Sequence, residues 1–411
     1  MKRYLKAEEM TTLLSGCFFS LLLINGDSYK LAAIPLALFA LFALPKTRKS
    51  ICAAPIKLAQ LALFSYFAVT AISLVINGGE LSQLDMPSRV ILASFIMALI
   101  YCYPPSLQTT LYSICLGASI AGIIAIHQFI STGGRALSES EGYMVIQAGG
   151  IASGLSMLAI VVYLFSLQVK NKLLQASSIL ATMLGLCATL LSGARGAWLL
   201  IPFIVLGLFI FHRHMFSQKA KWGSLIALVV VVIFSYPNIA PRVNLVINDL
   251  KQYQNDDATT SSGVRLEMWK SALYSGFDKP VFGQGFDGVQ AAKEKQVSEG
   301  LVDKAVLGYS RAHNQLFEEL QTKGLIGVTT LLFFFGAPFV VLVRKLRSLP
   351  QDDPRYYLSL MGIVHITSII GSSITQHYLS HNSGIIFYSV GIAIFVGMVF
   401  SPTLNYKGIR Q

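Results

Sequence analysis

The chain has 411 residues, a mean hydropathy of +0.60 and 13% charged residues, against roughly 25% charged residues in a typical soluble domain. This composition excludes a large soluble core and indicates a polytopic membrane protein. The formal net charge of +12 would suit a nucleic-acid partner, but the positions of the basic residues explain much of it as a topology signal, so we expect no nucleic-acid binding.

Apolar runs long enough to cross about 30 Å of hydrocarbon predict an all-α protein with about twelve transmembrane helices. They lie near residues 10–25, 29–45, 56–76, 89–104, 110–130, 146–168, 173–192, 196–212, 222–237, 324–343, 356–375 and 383–401. The first run resembles a signal peptide, but no small-x-small cleavage site follows Ile24, so we predict an uncleaved helix. The five cysteines show no paired spacing, and neither a disulfide framework nor a zinc site is expected.

The distribution of Lys and Arg predicts the orientation of these helices. With the N-terminus in the cytoplasm, 18 of the 32 basic residues fall in the two termini and the cytoplasmic loops. Four more lie at the outer edges of spans, and the remaining ten lie in residues 238–323, a segment long enough to be translocated regardless of charge. We therefore predict helices 1–9 in residues 1–237, a large outer loop with short helices in 238–323, and helices 10–12 with a cytoplasmic tail in 324–411.

Arg195 lies in LSGARGAW (191–198), a short turn between two predicted spans. A charged side chain at a membrane boundary often only snorkels to the interface. The flanking residues Gly193 and Gly196 would let the backbone turn tightly and approach a ligand closely. We therefore take Arg195 as a candidate binding residue.

The stretch SSGVRLEMWKSALY (261–274) predicts a helix that begins after Ser262 or Gly263. Arg265 lies in its first turn, where the helix dipole favours anions rather than cations. There it would add positive charge beside backbone N–H groups that can also meet an anion. The alternative is a solvated helix face with a surface ion pair between Arg265 and Glu267.

The stretch RAHNQLFEELQTKGLIG (311–327) predicts a short helix with Asn314 as its N-cap and Gly324 just past its end. His313 then lies outside the helix, close to the membrane surface. A lone histidine is more often structural than catalytic, and His377 and His381 in the outer loop TQHYLSHNS are rival candidates. Further candidate substrate-binding residues are Asn314, Trp269, Tyr309 and Arg311, and Tyr253 and Tyr274 are additional aromatics that either stack on sugars or form an interfacial belt.

Two arginines and a histidine on one face suit transfer from a lipid-linked diphosphate to a hydroxyl. Arginine keeps its charge and binds phosphate through two parallel hydrogen bonds. Histidine has the side-chain pKa nearest neutrality and can accept a proton there. A diphosphate leaves without protonation, and the outer face carries no DxD-type pair, so a reaction without metal or other cofactor is the simpler expectation.

The three stretches resemble the superfamily of O-antigen ligases, O-antigen polymerases and pilin oligosaccharyltransferases over roughly residues 180–345. LSGARGAW is similar to its SxRG turn, SSGVRLEMWKSAL with PVFGQGF to its arginine helix and G-x-G segment, and AHNQLFEELQTKGLIG to its His-Asn segment. His313, Asn314, nine residues, Gly324 and Gly327 match the spacing associated with the ligases. Pilin-type transferases usually carry a larger C-terminal outer region.

The resemblance implies a class C glycosyltransferase-like membrane fold in the inner membrane of a Gram-negative bacterium, with both termini cytoplasmic and a periplasmic site roofed by the large loop. Arg195 and Arg265 would bind the diphosphate of undecaprenyl-diphosphate-linked O-antigen, and His313 would act as general base on a hydroxyl of the lipid A–core oligosaccharide. The implied chemistry is an inverting glycosyl transfer beside membrane lipids.

Two alternatives remain open at this point. An O-antigen polymerase of the same superfamily would share the topology and the outer arginines. A transporter for an anionic lipid or solute would be favoured by charges within the spans or by paired broken helices, and the sequence has few of the first and no clear case of the second.

Overall fold

The computed structural model describes residues 6–138, 144–216, 218, 244–245, 247–249, 251–255 and 257–404. Within these ranges all longer elements are α-helices, joined by short loops and 3-10 turns. In chain order they are α1 Ala7–Leu21, α2 Ser28–Phe42, α3 Leu44–Thr47, α4 Lys57–Asn77, α5 Asp85–Cys102, α6 Leu107–Thr132, α7 Val145–Gln168, α8 Lys172–Ser192, α9 Ile201–His212, α10 Ser261–Asp278, α11 Gly288–Ser298, α12 Gln315–Arg347, α13 Pro354–Thr375 and α14 Asn382–Phe400.

Nine helical stretches in the described part of the chain are long and apolar enough to cross a membrane, or up to ten if the bent pair Ser28–Phe42 and Leu44–Ser50 forms one span. This agrees with the predicted polytopic membrane class. The first predicted span corresponds to α1, which has 15 residues and does not reach that length. The predicted span 222–237 lies outside the described residues, so the count of twelve stays a prediction.

The centre of the bundle is formed by α7, α13 and α14. Within the most apolar window of each, 83%, 72% and 89% of the residues are buried inside the protein, and all three carry small residues that let neighbouring helices approach closely. By contrast, α8 and α9 bury only 33% and 28% of their windows. These two helices therefore lie at the periphery, where a membrane protein meets lipid.

The helix α12 is interrupted at Gly324, which has φ 64° and ψ −156°. The glycine-rich loop after α10 fills the break, because backbone N–H groups on each side donate to the other segment: Gln284 to Gln321 (2.8 Å), Gly285 to Thr322 (3.0 Å) and Leu325 to Pro280 (2.8 Å). A Cβ at Gly324 would lie 2.6 Å from the Val281 carbonyl. The predicted helix end at Gly324 is thus a kink, after which the same helix continues as a span.

Two further helices, α10 and α11, lie in the segment predicted as a large loop with short helices. The helix α10 begins at Ser261, slightly before the predicted start, because the Thr260 side chain accepts a hydrogen bond from the Gly263 N–H (3.1 Å) and caps it. It packs against the N-terminal part of α12. The motif that contains Arg265 is thereby placed beside the motif that contains His313.

Candidate functional site

The arginine turn between α8 and α9 is built around two glycines. Gly193 ends α8 in the left-handed conformation (φ 65°), and a 3-10 turn over Arg195–Trp198 follows. A Cβ at Gly196 would lie 1.6 Å from the Thr375 hydroxyl oxygen. Glycine is therefore required for this turn to sit against the end of α13.

A cavity of about 320 Å³ lies against this turn, and we call it the arginine cavity. Its lining includes Arg135, Arg265, Thr375 and the turn residues Gly193, Ala194 and Gly196. Neither Asp nor Glu is among the described residues that line it. A partly open cavity lined by two arginines and by the backbone of the turn is suited to a polyanionic group such as a diphosphate.

Arg265 enters the cavity from the first turns of α10, and Ser261 at the N-terminus of the same helix also lines it. Arg265 has neither an ion pair nor a hydrogen bond to another described residue. The predicted alternative partner Glu267 is instead buried, accepting hydrogen bonds from the Tyr253 hydroxyl and from the Asp303 N–H (2.7 Å). The hydrogen bond to Glu267 and burial raise the pKa of Tyr253 to about 12, with burial the larger cause.

Arg135 is a cavity residue to which the sequence assigned no role. Its Nε donates to the Ser192 carbonyl at 2.8 Å, which fixes the guanidinium group beside the arginine turn. In the sequence it appeared only as one of four basic residues at outer span edges. Only the packing of α6 against α8 brings its segment to the cavity.

His313 lies at the start of α12 with a left-handed backbone (φ 48°), a conformation uncommon for a residue other than glycine. Its Nδ1 lies 2.8 Å from the Gln376 Oε1. The next residue, Asn314, caps α12 as predicted, accepting from the Leu316 and Phe317 N–H groups, and its amide donates to the Ile374 carbonyl (2.8 Å).

The end of α13 and the loop that follows it are hydrogen-bonded to three consecutive residues at the start of α12. Besides the bonds of His313 and Asn314, Gln315 Oε1 accepts from the Leu379 N–H at 2.8 Å. We call residues 313–315 together with residues 374–381 the histidine junction. Since Thr375 lines the arginine cavity and Gln376 bonds to His313, the end of α13 joins the two parts of the site.

The rival histidines lie in the same junction. The His377 ring packs edge-on against His313 (centroids 5.2 Å apart), and His381 lies 4.6 Å from His377. Burial lowers the pKa of His377 to about 2, helped by the nearby His381, His313 and Arg311, and lowers that of His381 to about 4. Both stay neutral near pH 7 and act there as part of the wall around His313.

Two buried carboxylates hold the N-terminal turns of α12. Glu318 accepts from the Arg311 guanidinium (2.8 Å) and from the Ala312 N–H (2.9 Å). Glu319 pairs with Lys323 and accepts from the Tyr66 hydroxyl (2.9 Å) on α4. Arg311 is therefore tied to the helix beside His313 while still lining a second cavity, of about 210 Å³. Its predicted role in substrate binding stays a prediction.

The aromatic candidates differ in what they contact. Trp269 stacks on Phe317 (centroids 5.3 Å apart, 18° between planes) and donates its indole N–H to the Ala312 carbonyl (3.0 Å), so it supports the chain next to His313. Tyr309 is 41% exposed and its ring lies 6.0 Å from that of His313. Tyr309 is thus the better placed of the two to meet a sugar, and sugar binding by either remains a prediction.

Fold and site together define a polytopic membrane protein with a cationic cavity and a hydrogen-bonded histidine at the ends of its helices. A family model described as O-antigen ligase matches residues 180–334. An uncharacterized protein of Haemophilus influenzae is 30% identical over 392 residues, covering 93% of this chain and 97% of the relative. A protein named O-antigen ligase from Escherichia coli K12 is 29% identical over 174 residues, 40% of this chain and 41% of that protein.

Residues 180–334 belong to the O-antigen ligase family of domains, and the comparisons support the O-antigen ligase superfamily for this chain. The matched region contains the arginine turn, α10 and the first half of α12, and so includes Arg265 and His313, whereas the cavity residues Arg135 and Thr375 lie outside it. This membership supports a glycosyltransferase-like enzyme with a ligase- or polymerase-type role in lipopolysaccharide biosynthesis.

Proposed function

We propose that this protein is an O-antigen ligase, which transfers O-antigen from undecaprenyl diphosphate to the lipid A–core oligosaccharide on the periplasmic face of the inner membrane. The observation that carries the proposal is the junction of the arginine cavity with His313 through the end of α13. A site for a polyanionic leaving group thus lies next to a side chain that can take a proton. The matched residues 180–334 support the same assignment.

The donor diphosphate fits the arginine cavity by charge. Arg265 and Arg135 would neutralise the diphosphate oxygens, and the open backbone of the arginine turn would approach them closely. We place Arg195 in the same role because its backbone lies in the 3-10 turn at the cavity. Charge stabilisation of the leaving group is the main contribution expected from such preorganised groups.

His313 would act on the acceptor. As the acceptor hydroxyl oxygen forms a bond to the anomeric carbon of the donor sugar, the bond from that carbon to the diphosphate oxygen breaks. The hydroxyl proton passes to His313, and undecaprenyl diphosphate leaves as an anion. Attack from the side opposite the leaving group inverts the anomeric centre. A positioned general base of this kind contributes roughly 10²- to 10⁴-fold to the rate.

An apolar cleft next to the site suits a lipid-linked substrate. It has a volume of about 400 Å³, begins at Asn314 and runs between α12 and α13, where its lining includes Leu331, Phe335, Phe339 and Ile370. An isoprenoid chain lying there would stay in apolar surroundings, as it does in the bilayer, and would be positioned by van der Waals packing against these side chains. Its diphosphate end would then point towards the helix ends that carry the polar site.

The test is a gel of lipopolysaccharide from a strain that lacks this gene, with the polyprenyl-linked pool analysed beside it. We expect core-only lipopolysaccharide and long polymer accumulating on the lipid carrier. Plasmid-borne wild type should restore the ladder and His313→Ala should not. The matched control is His214→Ala, which removes a histidine whose Nε2 bonds to Gln351 (2.8 Å), remote in sequence from the site, and it should restore the ladder.

The O-antigen polymerase is the alternative within the superfamily. It predicts lipopolysaccharide whose core bears a single repeat unit, with no long lipid-linked chains, in the deletion strain. That pattern would contradict the ligase. Transport of an anionic lipid, the alternative from another class, would be supported if vesicles of the wild type and of His313→Ala exchanged the lipid equally well.

A further inference from the structure

A chain of three side chains runs through the histidine junction. His313 Nδ1 lies 2.8 Å from Gln376 Oε1, and Gln376 Nε2 lies 3.3 Å from His381 Nε2. Gln376 is 1% exposed and sits at the C-terminus of α13 with extended backbone (φ −150°, ψ 151°). Its amide is therefore shielded from water and held between two imidazole rings.

The chemistry of the Gln376 amide determines which group donates and which accepts in these two hydrogen bonds. A carbonyl oxygen only accepts, so Nδ1 of His313 must carry the proton in this bond. The amide nitrogen only donates, so Nε2 of His381 must accept, which requires that nitrogen to be unprotonated. With Nδ1 protonated, neutral His313 has its lone pair on Nε2, and that nitrogen bonds to none of the described residues.

We propose that Gln376 is the positioning residue of the reaction, holding His313 in the tautomer whose Nε2 is free to take the acceptor proton, and that His381 sets the orientation of the Gln376 amide. The inference rests on the proposed function, because it assigns the direction of proton transfer at the same histidine. An amide in the reverse orientation would donate to Nδ1. The proton of neutral His313 would then be on Nε2, which could not accept the acceptor proton.

The neutral state of His381 is maintained by its surroundings. Burial, then Arg311 and His313, lower the pKa of His381 to about 4, so its Nε2 can remain an acceptor throughout the neutral range. Protonated His381 would present a donor to the amide nitrogen, and the amide would turn. When the proton of this neutral imidazole is on Nδ1, its Nε2 accepts from the amide and favours one of the two orientations that an amide side chain can adopt.

Several titratable or charged groups face His313 and bear on its pH dependence. Tyr309 and His377 lie against the ring (centroids 6.0 and 5.2 Å away). Beyond them lie Arg311 and Glu318, which pair with each other, His381 on the far side of Gln376, and Lys293 of α11, whose ammonium donates to the Tyr309 carbonyl. A carboxylate placed at position 376 would add a negative charge in direct contact with Nδ1.

The experiment measures initial rates of polysaccharide transfer by purified full-length protein in proteoliposomes. The donor is the lipid-linked polymer that accumulates in the deletion strain, and the acceptor is the core-only lipopolysaccharide of that strain. Gln376→Leu removes the amide at nearly equal volume. Gln60→Leu is the matched control, since Gln60 is also buried and makes two hydrogen bonds, with the Cys52 N–H and the Ser94 carbonyl.

We expect Gln376→Leu to lower kcat by about 10- to 100-fold, part of the roughly 10²- to 10⁴-fold that a general base supplies, with an unchanged KM for the acceptor. Gln60→Leu should keep both constants. Gln376→Glu keeps an acceptor at Nδ1 and should regain most of kcat at high pH. Because the carboxylate stabilises the imidazolium, the acid limb of its pH–rate profile should move up by about 1 unit or more.

The upward shift of the acid limb should persist when His381→Leu is added to Gln376→Glu, because the group that titrates there is His313 and not His381. Wild-type kcat in Gln376→Leu, or a Glu variant as inactive as the Leu variant, would overturn the inference while leaving the proposed function intact. The second result would mean that the amide N–H, and so the opposite tautomer, is what the reaction needs. A wild-type protein that transfers nothing would overturn both.

Discussion

In the arginine cavity, Arg265 bonds to no other described residue, whereas at the histidine junction each of residues 313–315 is hydrogen-bonded to the end of α13 or to the loop that follows it. The two regions share the end of α13, yet the first leaves the charged side chain of Arg265 available, whereas the second holds the side chains of residues 313–315 in hydrogen bonds. A diphosphate that arrives and leaves needs guanidinium groups free to close on it. A proton transfer needs one nitrogen held in one direction.

A buried ion pair in α12, between Lys323 and Glu319, lies close in sequence to the histidine junction. Lys323 and Glu319 are 5% and 2% exposed, and the Lys323 ammonium also lies 4.6 Å from the centre of the Tyr66 ring. A buried pair contributes little net stability against an apolar replacement, but losing one partner leaves an uncompensated charge. We therefore expect substitutions of the buried pair to lower the free energy of unfolding, and substitutions in the arginine cavity to lower the rate of transfer.

The largest effect on stability is expected from Lys323→Met, which strands Glu319 inside the protein. We expect a loss of about 3–5 kcal/mol in the free energy of unfolding, measured as a lower unfolding temperature in detergent. The double variant Glu319→Gln/Lys323→Met should recover much of that loss. A single variant as stable as the wild type would mean that the pair does not hold the junction.

Arg265→Lys should leave stability unchanged and lower transfer by about 10- to 100-fold, because lysine keeps the charge but loses the planar pair of donors. The measurement is the transfer rate at equal protein level in the membrane. Arg347→Lys is the matched control, an exposed arginine in the last turn of α12. Transfer near the wild-type rate in Arg265→Lys would indicate a non-specific electrostatic role.

The smallest effect is expected from Asn314→Ala, which removes an N-cap and should cost about 1 kcal/mol in the free energy of unfolding. Asn171→Ala is its control, since Asn171 caps α8 in the same way, accepting from the Leu174 N–H at 2.9 Å. Asn314→Ala should lose somewhat more stability than Asn171→Ala, because it also loses the hydrogen bond to the Ile374 carbonyl, and only Asn314→Ala should also slow transfer. Equal transfer rates in the two variants would mean that Asn314 serves only as a helix cap and has no role in the site.

The sequence predicted those features of the site that depend on residues close together along the chain. The cap at Asn314, the glycine turn around Arg195 and the break at Gly324 each depend on residues within a few positions of one another. The span pattern followed from hydropathy for the same reason. The kink differs from the expected helix end because its freed backbone groups bond to residues 280–285, some forty positions away.

Gln376 and Arg135 could not be predicted because their roles arise from tertiary contacts. Gln376 stands next to His377 in TQHYLSHNS, and no local pattern distinguishes its amide from that of a surface glutamine. The alternative of a surface ion pair between Arg265 and Glu267 is wrong, because Glu267 lies buried and accepts a hydrogen bond from Tyr253. In each case the deciding contact joins segments that the sequence alone does not bring together.

The most direct test of the account is the rate of polysaccharide transfer by purified wild type and His313→Ala, using lipid-linked polymer and core-only lipopolysaccharide in proteoliposomes. We predict measurable transfer by the wild type and a rate at least about 100-fold lower in His313→Ala, with the same unfolding temperature. Transfer by His313→Ala at the wild-type rate would contradict the assignment of His313 as the base.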